Sequence, residues 1–434
     1  MKVVSTYCIK RRDPCWCCGL VLAGCTAFFV VAVLLETVIA ADWPQHLGPQ
    51  RNGISAESGL LTAWPTTGLP EVWRVEGGAG MSGLAISQGR VVTMLQRNGK
   101  QLVVALDAAN GTQLWQAAIG PSYQHPMGDG PRATPTVMDN RVYAFSGEGH
   151  LLAIDLSDGG IAWRHDTVSQ HQAQVAEYGM ACSPLVVDDH VIVTVGAAAA
   201  TVAAYECDSG RRVWQAGQDD PAGYSSPALL DVGGRQQVVV FTGKAALGVD
   251  HKSGEVLWRY PYTTNFNCNV ATPLAYQGQV FLSAGENHGS VLLSLDARGK
   301  GFGAQEVWES QGPRSVMRNE WQTSILLDGH LYGMDNVGGA GPITHLTCIE
   351  AATGKRSWQQ VRFGKGNLIA ADGKLFISTM EGELVVVLAT PEKYTELGRA
   401  EVIGSTRQAP ALANGLLYLR DDQEIVCLDV RARN

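Results

Sequence analysis

The chain repeats one pattern of apolar and polar positions along most of its length. Each copy begins with alternating aliphatic residues. These end in a small residue, an aliphatic residue and usually an acid, and a turn and usually a Trp follow. Alternation with a period of two predicts β-strands. The acid can accept hydrogen bonds from backbone N–H groups of the turn, and Gly permits a positive φ there. The copies are Ala105-Leu106-Asp107…Gly111…Trp115, Ala153-Ile154-Asp155…Gly159…Trp163, Ala204-Tyr205-Glu206…Gly210…Trp214, Gly248-Val249-Asp250…Gly254…Trp258, Ser294-Leu295-Asp296…Trp308, Cys348-Ile349-Glu350…Gly354…Trp358, the degenerate Val387-Leu388-Ala389…Gly398 and the half-copy Cys427-Leu428-Asp429.

The spacing of these copies indicates a repeat architecture built from strands. Successive acids lie 48, 51, 44, 46 and 54 residues apart, and 79 residues, about two repeats, separate the last two. A second recurring motif, Ser/Thr-Pro or a close variant, lies at the start of an earlier strand in each repeat. Pro is tolerated at the first position of a strand. Each repeat therefore predicts four short strands, and radial repetition of four-stranded sheets is a β-propeller. The copies of this second motif are Thr134-Pro135, Ser183-Pro184, Ser226-Pro227, Thr272-Pro273, Ser324-Ile325 and Ala409-Pro410.

The two ends of the repeat region complement each other. Residues 69–73 hold a Trp strand with no acid strand before it, and residues 425–429 hold an acid strand with no Trp strand after it. Together they complete one blade. We predict an all-β, eight-bladed propeller of four-stranded antiparallel blades over residues 69–434, closed by its first and last strands, with seven blades as the alternative. Residues 42–68 form an N-terminal extension.

Residues 1–41 have the pattern of an export signal. Lys10-Arg11-Arg12 precedes a nearly continuous apolar run from Cys15 to Leu35, and small residues end the segment before Asp42. This order is typical of a cleaved signal peptide and predicts a location in the periplasm or cell envelope. Two alternatives remain open: retention of the run as a membrane anchor, and lipidation at Leu22-Ala23-Gly24-Cys25. A membrane is a partner only in those two cases.

Charge and cysteine content narrow the possible functions. Residues 1–41 hold four basic and two acidic residues, so the rest carries 29 basic and 39 acidic side chains, a formal charge of −10. This balance argues against nucleic acid as a partner, because binding phosphates needs a basic face. Cys182, Cys207, Cys268, Cys348 and Cys427 follow the leader, an odd number that cannot all pair internally. We expect a monomer.

The acid–Gly–Trp repeat resembles the PQQ-like propeller repeat of quinoprotein dehydrogenases and of BamB-type proteins, over nearly all of residues 43–430. The segments Asp42-Trp43-Pro44-Gln45, Gly130-Pro131-Arg132-Ala133-Thr134-Pro135 and Ala222-Gly223-Tyr224-Ser225-Ser226-Pro227 are similar to exported PQQ-binding-like propeller proteins abundant in planctomycetes. For the dehydrogenases, the resemblance implies a quinone, calcium held by Glu, Asn and Asp, a catalytic Asp, a stacking Trp and a disulfide between adjacent cysteines. After residue 41 the sequence has no adjacent cysteine pair and no C-x-x-C-H haem motif.

Candidate ligand-binding residues lie just before the Ser/Thr-Pro strands. In a propeller the innermost strands line a central channel, so the loops that lead into them converge in a funnel. Arg, Tyr, Asn and Trp side chains there are types that fix small ligands or partner side chains. Mutual hydrogen bonding within a polar channel is the alternative. The candidates are Arg132, Tyr178, Tyr224, Asn267, Asn269, Asn319, Glu320, Trp321 and Arg407.

Three functions follow from these features. The first is a non-catalytic propeller that acts as a binding or scaffold module for an unidentified protein or small molecule at the funnel, with no catalytic residues, no metal ligands and no cofactor. The second is a quinoprotein oxidoreductase using PQQ and calcium on alcohols or sugars. The third is a carbohydrate-binding or carbohydrate-processing protein, suggested by the aromatic residues of the funnel.

Overall fold

A computed structural model describes residues 41–65, 68–338, 341 and 343–432, and the predicted export signal lies almost entirely outside them. The described residues form eight four-stranded sheets, each a meander of antiparallel strands. The eight-bladed, four-stranded propeller predicted from the repeat is therefore confirmed. Innermost strands of neighbouring blades contact one another around the centre. No helix in the described ranges is long and apolar enough to cross a bilayer.

The strands are short and follow one another with little other regular structure. The first strand is β1 (Glu71–Glu76), and the only helical segments among the described residues are α1 (Thr167–His171) and a 3₁₀ turn (Asn265–Asn267). Blades 1 to 4 comprise β2 (Leu84–Ser87), β3 (Arg90–Arg97), β4 (Lys100–Asp107) and β5 (Gln113–Pro121); β6 (Thr136–Met138), β7 (Arg141–Phe145), β8 (His150–Asp155) and β9 (Ile161–Asp166); β10 (Leu185–Val187), β11 (His190–Ala197), β12 (Ala200–Glu206) and β13 (Arg212–Ala216); and β14 (Ala228–Val232), β15 (Arg235–Phe241), β16 (Ala245–Val249) and β17 (Val256–Pro261). Blades 5 to 8 comprise β18 (Leu274–Tyr276), β19 (Gln279–Ala284), β20 (Gly289–Arg298) and β21 (Gly301–Gln311); β22 (Ile325–Leu327), β23 (His330–Asn336), β24 (Thr344–Glu350) and β25 (Arg356–Gln360); β26 (Gly366–Ala371), β27 (Lys374–Thr379), β28 (Glu383–Leu388) and β29 (Glu396–Glu401); and β30 (Ala411–Ala413), β31 (Leu416–Arg420) and β32 (Glu424–Asp429) with β1.

The ring closes through blade 8, where β1 pairs antiparallel with β32 and Trp73 lies opposite Cys427. Arg420, also in blade 8, is 1% exposed and joins the last blade to the first. Its guanidinium donates hydrogen bonds to Met94 O at 2.6 Å and to Gly78 O at 2.6 Å. Because a cation buried this deeply is tolerated only with such partners, Arg420 holds the two blades in one relative position.

The Trp of one blade contacts the turn of the next blade at six seams. The indole Nε1 donates a hydrogen bond to a backbone carbonyl beside the acid turn, which anchors one sheet against its neighbour. A bond of this kind stabilises by about 0.5–1.5 kcal/mol, in addition to the burial of the ring. The pairs are Trp73 to Ala108, Trp115 to Leu156, Trp163 to Cys207, Trp214 to His251, Trp308 to Ala351 and Trp358 to Thr390, at 2.8–3.0 Å.

The fifth copy departs from this arrangement. The β20–β21 hairpin continues to the pair Arg298 and Gly301, so the short acid turn of the other blades is missing. Trp258 of blade 4 donates instead to Gln237 Oε1 at 2.7 Å, within its own blade. The residue opposite Trp308 is Leu292, not the small Ser294 that the pattern indicates.

Glycine in the acid turn is fixed by two constraints. Gly159 has φ +79°, and a Cβ placed on it would lie 2.7 Å from the ring of Trp115. The turn therefore needs a residue that accepts positive φ and that leaves room for the indole of the preceding blade.

The degenerate seventh copy obtains its Trp from the extension. Gly398 lies in β29 opposite Val386, the position that Trp occupies in most other blades, and is not the turn glycine that the pattern suggested. A Cβ on Gly398 would lie 2.3 Å from the ring of Trp64. Trp64 of the extension therefore covers the site that the missing strand Trp leaves open.

Gly159→Ala is expected to lower the free energy of unfolding by about 2–4 kcal/mol, because it combines positive-φ strain with overpacking against Trp115. Gly89 is the matched control, since it has φ +72° and no heavy atom lies within 4 Å of the position that a Cβ would take. Gly89→Ala should cost only the strain, about 1 kcal/mol. Urea unfolding followed by Trp fluorescence measures both, and equal losses would contradict the role of the indole contact.

Gly398→Ala and Trp64→Ala are expected to couple. Gly398→Ala should destabilise the wild type by about 1–3 kcal/mol because its Cβ overlaps the indole of Trp64. In the Trp64→Ala background the same change should be neutral or stabilising. A double-mutant cycle from urea unfolding then gives a coupling energy of about 1–3 kcal/mol; additive losses would show that Trp64 does not occupy this site.

Candidate functional site

Residues 42–54, here called the strap, cross one end of the central channel. Trp43 exchanges backbone hydrogen bonds with Ile86 of blade 1 at 2.8 and 2.7 Å, and Pro44 O accepts from Val137 N of blade 2 at 2.8 Å. Further along, Gly53 O accepts from Ala370 N of blade 7 at 2.8 Å. The strap thus joins innermost strands from widely separated blades, and these strands end where it crosses.

Two strap side chains fix it to the opposite blades. Arg51 is 3% exposed and donates to Ser183 O and Pro184 O of blade 3, both at 3.0 Å. His46 Nε2 lies 3.2 Å from Thr272 Oγ1 of blade 5. Burial, and secondarily the positive charge of Arg51, lower the pKa of His46 to about 3. His46 is therefore neutral at pH 7.

A blind cavity of about 390 Å³ lies between the strap and the funnel loops. Trp43, His46 and Leu47 of the strap form its floor. Met127 and Phe266 also line it and are 44% and 58% exposed, so the cavity opens on their side. Its size is in the range of small-molecule sites, and its lining is largely apolar with a few polar groups.

Six of the nine residues predicted from the sequence line this cavity. They come from the loops before the innermost strands of blades 2, 3, 4, 6 and 8, which the ring brings together. Their role in binding stays a prediction. The six are Arg132, Tyr178, Tyr224, Glu320, Trp321 and Arg407.

Trp321 is the centre of a charged wall. Lys365 Nζ lies 4.3 Å from the centroid of its ring, and Arg407 Cζ lies 4.7 Å from it. Lys365 Nζ also lies 2.7 Å from Glu320 Oε2. Burial raises the pKa of Glu320, and the positive charges of Lys365 and Arg407 oppose that shift. Cations over an indole face are attracted by its quadrupole, so the contacts hold the ring in place.

Arg132 organises the second wall. Its guanidinium donates to Tyr178 O at 2.6 Å, to Gly128 O at 2.7 Å and to Gly130 O. The rings of Tyr178 and Tyr224 lie 5.5 Å apart, and Tyr178 N donates to Tyr224 Oη at 3.2 Å. The hydrogen bonds of Arg132 are therefore directed at the loop backbone, and the two Tyr rings present the apolar surface.

The three predicted Asn residues do not line the cavity. Asn269 is fully buried and donates to Thr242 O and Tyr262 O, and Asn319 is fully buried between Met334 O and Ser324 Oγ. Asn267 lies in the 3₁₀ turn with φ +56°. These contacts hold the loops in shape, since buried amides need such partners.

Other lining residues had no signal in the sequence. Glu286 lies in the β19–β20 turn, and Met127 lies in the loop after β5, both away from the Ser/Thr-Pro motif. The strap residues lie outside the repeat altogether. Burial, followed by the charges of Glu286, Glu177 and Glu320, raises the pKa of Cys268 to about 12. That thiol is protonated at pH 7 and a poor nucleophile.

The residues of the cavity do not match the quinone site that the resemblance implies. Among the described residues, its carboxylates are Glu286 and Glu320, and no Asp lines it. The amide nitrogen of Asn367 donates to Arg407 O at 2.8 Å. Across the same part of the chain, the five cysteines are free and no group of three or more His, Cys, Asp or Glu is arranged to hold a metal. We therefore assign no step that passes through a quinone or calcium.

Eight four-stranded blades joined by Trp contacts around a blind cavity define a PQQ-like, BamB-type propeller. The family model described as outer membrane protein assembly factor BamB matches residues 57–177 and 99–360, more than half of the chain. The chain belongs to that family. BamB of Yersinia pestis is 22% identical over 339 residues, 77% of this chain and 70% of that protein.

Two solved structures illustrate the range of proteins with this fold. The quinohemoprotein alcohol dehydrogenase of Comamonas testosteroni has a TM-score of 0.67 and 15% identity, with 91% of this chain and 81% of that chain covered. BamB of Moraxella catarrhalis has a TM-score of 0.55 and 14% identity, with 83% of this chain and 99% of that chain covered. At these identities the likeness concerns the fold.

His46 is expected to make stability depend on pH. Because its pKa is lower in the folded protein than in the unfolded chain, the unfolded state binds the extra proton first and stability falls as pH drops from about 6.5 toward 3. Relative to His46→Gln, the wild type should lose about 2–3 kcal/mol between pH 7 and pH 4.5. Urea unfolding at both pH values measures this, and a constant difference would show that His46 has the same pKa in the folded and the unfolded chain.

Proposed function

We propose that this chain is an exported binding propeller of the cell envelope, which holds a small ligand in its central cavity and catalyses no reaction there. The observation that supports the proposal is the blind cavity itself, with an open mouth at Met127 and Phe266 and a floor made by the strap. The strap joins blades and also gives the cavity a floor against which a ligand can be held.

The chemistry of the lining supports binding without catalysis. Arg132 is engaged by loop carbonyls, Glu320 is paired with Lys365, and Cys268 is held as a thiol. None of these groups is an activated nucleophile or a base paired with one. The apolar surface of Tyr178 and Trp321 is suited to hold a ligand body.

The comparisons support the compartment. The relatives from Yersinia pestis and Moraxella catarrhalis are BamB, the first named an outer membrane protein assembly factor. The charged, apolar and small-residue order of residues 1–41 agrees with export. A protein partner is a second candidate, favoured by the exposed apolar side chains of Met127 and Phe266 at the mouth.

A thermal-shift panel tests the cavity as the binding site. The purified chain is heated with aromatic amino acids, dipeptides, sugars, and PQQ with calcium. A ligand at about 100 times its Kd should add about 2.7 kcal/mol of stability. Trp321→Leu should weaken that ligand at least tenfold because it removes the wall between Lys365 and Arg407.

Val361→Ala is the control, since Val361 is 60% exposed and does not line the cavity. It should leave the shift unchanged. A ligand that stabilises wild type and Trp321→Leu equally, or a panel without any shift, would contradict the proposal. Oxidation of an alcohol or sugar with PQQ, calcium and a dye acceptor would show that the protein is an enzyme.

A further inference from the structure

The charged groups of the cavity divide into those that the fold already satisfies and those that it does not. Its lining holds Arg132, Arg407, Glu286 and Glu320, and Lys365 lies beside it over the Trp321 ring. Arg132 donates to three backbone carbonyls, and Glu320 is paired with Lys365. These two charged groups hold the loops and the Trp321 wall in place.

Arg407 and Glu286 are different. Arg407 Nη1 donates to Met127 O at 2.7 Å, while Nε and Nη2 donate to no described residue. The Glu286 carboxylate accepts no hydrogen bond from the described part of the chain. Both line the cavity, and a partly buried charge with open hydrogen-bonding positions favours a ligand group of opposite sign.

The two groups line the same cavity as Trp321. Arg407 lies over the Trp321 ring. Lys365 lies over the same ring. Burial, followed by the charge of Glu320, raises the pKa of Glu286, and the positive charge of Lys365 opposes that shift. The cavity therefore offers one open cation and one open carboxylate, and the Tyr178, Tyr224 and Trp321 rings supply apolar surface.

Resting on the proposed function, we propose that the ligand is a zwitterion with an apolar body, such as an aromatic amino acid or a short peptide, whose carboxylate binds Arg407 and whose ammonium binds Glu286. A zwitterion supplies one ionic partner to each of the two open groups, Arg407 and Glu286, and so leaves neither charge unpaired. A compound with several carboxylates would place excess negative charge beside Glu286 and Glu320. A sugar would leave both charges without an ionic partner.

Isothermal titration of the full chain tests both ends. The probes are phenylalanine and leucyl-phenylalanine, each also as the N-acetyl form, which lacks the ammonium, and as the C-terminal amide, which lacks the carboxylate. At least one parent compound should bind, and each blocked form should bind at least tenfold more weakly. Equal affinity of the parent and the N-acetyl form, or no binding of either parent, would overturn the inference.

Charge variants link each end to its residue. Glu286→Gln should remove the preference for the free ammonium and keep the preference for the free carboxylate, and Arg407→Gln should do the reverse. Arg211→Gln is the control, because Arg211 is an exposed residue paired with Glu206 on another part of the surface. Loss of affinity without change in either preference would point to a structural role and contradict the assignment.

The outcome separates this inference from the proposed function. If a sugar or PQQ binds and Trp321→Leu abolishes its binding, the cavity is the binding site and the proposal of a zwitterionic ligand is wrong. If a dipeptide binds equally well to the wild type and Trp321→Leu, the cavity itself is wrong as the site.

Discussion

The contact of each indole with the next blade is the constraint on which this structure depends. A four-stranded sheet cannot bury both of its faces alone, so each blade is stable only against its neighbours. At six seams a Trp Nε1 donates to a turn carbonyl of the next blade. The turn glycine lies under the same ring, as Gly159 does under Trp115. The interaction therefore fixes both the distance and the rotation between sheets, and the exceptions show its importance: Gln237 accepts from Trp258, and Trp64 fills the site over Gly398.

The ring that these contacts build creates a channel, and the chain closes it with residues outside the repeat. Buried Arg51 and neutral His46 tie the strap to blades 3 and 5. A buried guanidinium is costly unless it is hydrogen-bonded, so the bonds of Arg51 to Ser183 O and Pro184 O hold the strap in one place. The floor of the cavity is thus fixed by polar contacts, while its walls are fixed by loops such as those that Arg132 joins.

The sequence predicted the architecture because the fold-determining residues recur in most copies. Eight blades of four strands each follow from the recurring acid, Gly, Trp and Ser/Thr-Pro positions. The errors fall where one copy departs from the average: the longer β20–β21 hairpin shifts the partner of Trp308 to Leu292, and Gly398 lies in a strand.

In the cavity, the position of the loops before the innermost strands identified six lining residues. Loop position could not distinguish these six residues from Asn269 and Asn319, which hydrogen-bond to the backbone instead. The same residue types occur at the same loop positions in both roles. Glu286 and the strap residues carry no repeat signal at all.

Function in this fold depends on which polar groups the scaffold leaves unsatisfied. The same blades occur in an alcohol dehydrogenase and in BamB, so the blades themselves carry no chemical information. Within the cavity, Arg132 donates to loop carbonyls and Glu320 is ion-paired with Lys365, whereas Arg407 and Glu286 keep open positions. A ligand gains little from a group that is already paired, since it must displace the existing partner to bind there. We therefore expect the groups with open positions, Arg407 and Glu286, to select the ligand, each through a ligand group of opposite sign.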